Sequence, residues 1–127
     1  MAEYVFKKML KEQNIPDIKV NSKGFNALGD NIAQNAKLAL KEKGIRVRDR
    51  KSVQLKKIEK NTLYVVMNDK AKEKIKGKVI SMKDLTGFDV LDPYGQSLEV
   101  YKETLNQLEN GAKVLLEKIL KIRGGKW

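Results

Sequence analysis

The sequence predicts an α/β domain in which a parallel sheet is flanked by helices on both faces. Two short apolar runs, Leu63-Tyr64-Val65-Val66-Met67 and Val79-Ile80-Ser81-Met82, are bounded by polar residues. Buried parallel strands have that pattern. Segments with helical periodicity precede, separate and follow them, and strands alternating with helices imply a sheet covered by helices.

Each element has a local reason. Residues 2–13 are predicted helical, with Val5, Phe6, Met9 and Leu10 on one face and Lys7, Lys8, Lys11 and Glu12 opposite. Asn14 and Pro16 end that helix. Ile18-Lys19-Val20 is a short strand candidate, and residues 22–31, rich in Gly, Asn and Asp, are predicted to be a loop. A second helix is expected over 32–43, with Ile32, Ala36, Leu38, Ala39 and Leu40 facing inward and Gly44 as its left-handed terminator. Residues 45–51 form a basic connector, and Ser52 is read as the N-cap of a short helix to Glu59. Asn68 or Asp69 caps a further helix ending before Gly77, and residues 84–96 are expected to be a loop. One long helix should run from Ser97 to Ile122, with Leu98, Tyr101, Leu105, Leu108, Ala112, Leu115, Leu116, Ile119 and Leu120 as its apolar stripe. Residues 1–122 are thus expected to form a single domain, with 123–127 as a flexible tail.

Composition restricts the chemistry. The chain has 127 residues and contains neither cysteine nor histidine. Thiolate chemistry, disulfides and the commonest metal ligands are therefore absent from it. No metal or other cofactor is expected, because Asp84, Asp89 and Asp92 do not match a calcium loop and no phosphate-cradling glycine motif occurs. No apolar run is long enough to span a membrane. The start of the chain, Met1 to Phe6, has no basic region followed by an apolar stretch, so the expected location is the cytoplasm.

The net charge is +11, and residues 37–60 hold ten Lys and Arg against three Asp and Glu. Arg46, Arg48, Arg50 and Lys51 are the candidate anion-binding patch within that segment. A nucleic-acid partner has weaker support, because the segment lacks aromatic residues for base stacking and matches no nucleic-acid motif. A solvated lysine-rich face accounts for the same composition.

Asp92-Pro93-Tyr94-Gly95, followed by Ser97-Leu98-Glu99-Val100-Tyr101 opening a long helix, resembles the acid loop of the low-molecular-weight protein tyrosine phosphatases and the related arsenate reductases. Met1-Ala2-Glu3 with Phe6, the 41–45 and 51–55 segments, and Leu63 to Met67 are similar to other parts of that family in order and spacing. The resemblance implies a flavodoxin-like topology. It also implies that Asp92 corresponds to the family's general acid and Tyr94 to an aromatic at the pocket mouth, with Phe25 as a further pocket-wall candidate. Phosphate or a phosphoprotein is then the implied ligand. Asp-Pro also starts turns that carry no chemistry.

Departures from the family pattern shape the functional expectation. The family's first strand and its phosphate loop (a nucleophilic Cys, five residues, an Arg and a Ser or Thr) lie directly before the Met-Ala-Glu segment, where this chain begins. Arg50-Lys51 stands near a position where the family often has His, and Lys23 where it usually has Ala. The expectation is a truncated, catalytically inactive relative. An omitted N-terminal segment would instead give an active phosphatase or arsenate reductase, and the third reading is a basic nucleic-acid- or protein-binding module. Loss of a central strand would leave an unpaired sheet edge. The flanking strands are expected to close into a three-stranded core, or a donated strand would produce a homo-oligomer.

Overall fold

The computed structural model describes residues 1–23, 33–47 and 53–124. Helix α1 is Ala2–Glu12, α2 is Gln34–Glu42, strand β1 is Tyr64–Val66, β2 is Val79–Ser81, α3 is Met82–Thr86 and α4 is Leu98–Gly124. A 3₁₀-helix, Asp69–Lys74, connects the two strands, capped by the Asn68 side chain, which accepts from the Ala71 amide. The strands are parallel, with Val65 opposite Ile80.

The periodic segments form helices close to where their patterns place them. Asn14 takes φ of 56° just beyond α1, and Gly44 takes φ of 76° just beyond α2. Ser97 opens α4, its hydroxyl accepting from the Val100 amide.

Three apolar clusters hold these elements together. Val5 of α1, Ala36, Ala39 and Leu40 of α2, and Tyr101, Leu105 and Ala112 of α4 form the first. Met82, Leu85, Val90, Leu108 and Leu115 form the second, with Met67 and Ile80 from the strands and Met1 and Phe6 from the start of the chain packed against it. On the opposite sheet face, Val66, Ala71 and Ile75 pack with Leu55, Ile58, Tyr64 and Val79. Alternate strand residues thus face different layers, α1, α3 and α4 on one side and the 3₁₀-helix on the other.

Several expectations are corrected. Residues 18–20 form no strand, and the sheet among the described residues has two strands rather than three. An extended segment becomes a strand only when a neighbour completes its ladder, and β2 is the neighbour of β1. Residues 53–59 are not helical. They run as an irregular segment that lays Leu55 and Ile58 on the sheet, and the Glu59 amide donates to the Tyr64 hydroxyl at 2.8 Å. Residues 84–96 are not all loop. Ser81 and Asp84 form a reciprocal capping box that starts α3, and Gly87, at φ of 87°, ends it. Leu38 and Leu120 are exposed, because among the described residues no element is packed over the faces they occupy on α2 and α4.

Candidate functional site

The loop that carries Asp92 is fastened at the carboxyl end of the sheet. The Val90 amide donates to the Met67 carbonyl, just past β1, at 2.8 Å. Ligand sites of open parallel sheets gather at that end. Beyond Val90 the chain turns through Asp92, whose Oδ1 accepts from the Tyr94 amide at 3.0 Å. The Gln96 amide donates to the Pro93 carbonyl at 2.9 Å, and Gly95 supplies the left-handed φ of 78°. Asn35 of α2 donates its side-chain amide to the Gln96 carbonyl at 3.1 Å, tying the loop to a second helix. Asp92 is exposed, and its other oxygen has no hydrogen-bond partner among the described residues. Tyr94 is 74% exposed. One turn into α4, Tyr101 is buried, and its hydroxyl is pushed above the usual tyrosine range by burial, then by the nearby charge of Asp92 and by Tyr94.

A network below the loop holds it from the other side. The Ser81 hydroxyl is fully buried, donates to Asp69 Oδ1 at 3.0 Å and accepts from the Asp84 amide at 3.1 Å. The Ser81 amide donates to Asp84 Oδ2 at 2.9 Å. Lys72 Nζ lies 2.6 Å from Asp84 Oδ2 and 3.1 Å from Asp69 Oδ1. These contacts hold both carboxyls below the usual aspartate range, with the Lys72 hydrogen bond the largest cause for each, and raise Lys72 through Asp84 first. The Asp69 amide in turn donates to Asp89 Oδ1 at 2.9 Å, one residue before Val90. Sequence reasoning missed this network, although Ser81-Met82-Lys83-Asp84 has the spacing of a capping box.

The start of α1 carries a second missed feature. Glu3 is 3% exposed. Its Oε2 pairs with Lys7 Nζ at 2.7 Å, and its Oε1 accepts from the Ser22 hydroxyl at 2.7 Å. Beyond countering charge at the helix start, Glu3 pins the 21–23 segment to α1. Met1 and Ala2 pack against the cluster that contains Val90, so the start of α1 and the base of the Asp92 loop share one part of the fold.

The remaining candidates separate. Arg46 is exposed, two residues after Gly44. Phe25, Arg48, Arg50 and Lys51 lie outside the described residues. A cavity of about 520 Å³ lies between the second half of α1 and residues 14–21, lined among others by Leu10, Lys11, Ile15, Ile18 and Lys19. Neither Asp92 nor Tyr94 reaches it. Among the described residues no group of three or more potential metal ligands occurs, and no helix is long and apolar enough to cross a membrane.

Comparison with known proteins agrees with this layout. The family model described as low molecular weight phosphotyrosine protein phosphatase matches residues 1–123. A protein-arginine-phosphatase of Geobacillus stearothermophilus is 35% identical over 124 residues, covering 87% of this chain and 83% of the relative. That of Bacillus subtilis is 30% identical over 135 residues, covering 97% and 89%. The solved low molecular weight protein tyrosine phosphatase of T. tengcongensis superposes with a TM-score of 0.82 at 28% identity, over 92% of this chain and 88% of that one. The chain belongs to the low-molecular-weight phosphotyrosine protein phosphatase family.

Proposed function

We propose that this polypeptide is a non-hydrolysing member of its family that recognises phosphate on a protein side chain. One observation carries the reading: an acid loop with Asp92 at the carboxyl end of β1, in a chain that contains no cysteine. Cleavage of a phosphoryl group by a covalent route needs an activated nucleophile before an acid is of use. A positioned acid alone contributes typically about 10²–10⁴-fold, against the very large barrier of phosphate ester hydrolysis. Protein phosphoarginine and phosphotyrosine are the ligand classes suggested by the names of the relatives.

The test combines turnover with binding. Release of phosphate from phosphoarginine and phosphotyrosine peptides is expected to stay at the buffer rate, for the wild-type chain and for Asp92→Asn alike. Titration with inorganic phosphate is expected to give saturable amide shifts at residues 1–5 and 92–97. Turnover that drops on Asp92→Asn would overturn the reading, and an absence of localised shifts would remove its binding half.

A second reading is favoured by the ordered geometry of the acid loop: Asp92 serves as the proton donor once a nucleophile is supplied. Fusing a segment with the family's Cys-x5-Arg-Ser loop ahead of Met1 would then produce turnover that depends on Asp92. A fusion that folds but stays silent counts against it.

A further inference from the structure

The sheet face opposite α1, α3 and α4 is covered by a layer that carries a track of lysines, and the track begins beside the Asp92 loop. The 3₁₀-helix starts at Asp69, whose amide donates at 2.9 Å to Asp89 Oδ1, shortly before Asp92. Lys70 is exposed at that start. The helix has six residues, about 12 Å at the usual 3₁₀ rise. It leads to Lys76 and Lys78, both exposed, ahead of β2. Leu55 and Ile58 pack on the same sheet face as Ala71 and Ile75. A Cβ on Gly77 would lie 3.3 Å from Ile58 Cγ2, so the segment bearing Lys56, Lys57 and Lys60 runs beside the one bearing Lys76 and Lys78. All six of these lysines are exposed, and none forms an ion pair among the described residues. Lys72 differs, being held by Asp69 and Asp84.

The composition of the track restricts what it binds. Residues 53–81 contain no arginine, and their one aromatic residue is Tyr64. Tyr64 is half-buried, and its hydroxyl accepts from the Glu59 amide at 2.8 Å, so it offers no free face for base stacking. Glu59 and Glu73 are exposed among the lysines. A nucleic acid carries charge at every step of its backbone and would bring phosphates against both glutamates. Ammonium groups act as single point charges, without the fork that matches phosphate bidentately. In an extended peptide, side chains on one face recur about every 7 Å. Carboxylates at that spacing meet lysines one at a time, and neutral residues face the glutamates. A second copy of this chain would bring a further net charge of +11 to the track, so self-association there is opposed.

We propose that this lysine track binds an extended acidic segment of a partner protein. Resting on the reading that the Asp92 loop takes a phosphorylated side chain, the segment is the one that flanks that side chain. The phosphorylated residue sits at the loop, and its acidic neighbours follow the 3₁₀-helix from Lys70 toward Lys76 and Lys78. Charge complementarity then selects among phosphoproteins by the sequence beside the modified residue.

The experiment titrates the isotope-labelled chain at low salt with synthetic peptides of about eight residues, which span about 26 Å when extended. One alternates glutamate with serine, one has glutamine in place of glutamate, and one is the glutamate peptide ending in phosphotyrosine. The glutamate peptide is expected to bind at least about tenfold more tightly than the glutamine peptide, shifting the amides of residues 56–60, 70 and 76–78. The phosphotyrosine form should bind more tightly still and add shifts at 92–97. Reversing charge with Lys76→Glu and Lys78→Glu should weaken the glutamate peptide at least about tenfold. Lys113→Glu with Lys118→Glu, on the exposed side of α4, changes net charge as much and should not. Equal affinity for the glutamate and glutamine peptides overturns the proposal, and so does an equal loss in the two charge-reversed chains. A DNA oligonucleotide that produces the same shifts at lower concentration overturns it in favour of a nucleic acid. Shifts at the lysine segments from the glutamate peptide, with none at 92–97 from inorganic phosphate or the phosphotyrosine form, support the track and remove the phosphate reading instead.

Discussion

The backbone amide of Val90 and the carbonyl of Met67, 2.8 Å apart, join the loop that carries Asp92 to the end of β1. Val90 is also buried in the cluster that includes Met82, Leu85 and Leu108. Val90→Pro removes the donor and is expected to cost about 1–3 kcal/mol, because it leaves a carbonyl unpaired. Hydrogen exchange should then accelerate at residues 92–97 before the amides of α4 are affected. Unchanged exchange in the loop would show that another contact holds it.

Gly111 of α4 sits where α3 approaches closely. A Cβ built there would overlap Met82 Cε and lie 2.8 Å from its Sδ. Alanine gains about 1 kcal/mol of helix propensity, but forcing the buried Met82 to repack costs about 1–3 kcal/mol. Gly111→Ala is therefore expected to lower stability by up to about 2 kcal/mol in the wild-type background. In a Met82→Ala background it should be neutral or stabilising. Denaturant melts of the four chains measure that coupling, and additive effects would refute it.

Ser81 is fully buried and connects the capping box of α3 to Asp69 of the 3₁₀-helix. Ser81→Ala is expected to destabilise by about 1–3 kcal/mol, from a lost cap and stranded partners. Ser81→Thr keeps the hydroxyl and should retain more stability than alanine if the cap, rather than close packing, dominates. Thermal melts of both variants check the order.

The Lys72 network predicts a pH response with a definite sign. Asp69 and Asp84 titrate below the ordinary aspartate value of 3.8 in the folded chain. Their contribution is complete above that value and is lost as pH falls through the lowered folded values. Lys72 titrates above its ordinary 10.5, so its contribution is complete below that value and is lost as pH rises through the raised one. Lys72→Met should flatten both limbs of a plot of melting temperature against pH. Parallel curves for the two chains would assign the acid limb to other carboxylates.

Glu3 gives the last prediction. With Lys7 and Ser22 as partners on a buried carboxylate, Glu3→Ala should release the 21–23 segment from α1. Faster exchange of the Ser22 and Lys23 amides is expected, together with lower stability, while Glu12→Ala on the exposed end of the same helix should change neither.

Much of this molecule follows from local pattern. The boundaries of α1, α2 and α4 are legible in the sequence because helix periodicity, Gly44 and Ser97 act over a few residues. The strands at Tyr64–Val66 and Val79–Ser81 were legible for the same reason, as apolar runs between polar flanks. That these 127 residues contain no thiolate was legible without any structure, because no arrangement of the other side chains supplies one. The tertiary structure decided whether an extended segment finds a ladder partner, which β1 does in β2 and residues 18–20 do not. It also decided the burial of Glu3, the exposure of Leu38 and Leu120, and the meeting of Ser81, Lys72, Asp69 and Asp84. Those outcomes depend on groups distant in the chain, and short-range pattern carries no information about which element will lie across from a given face.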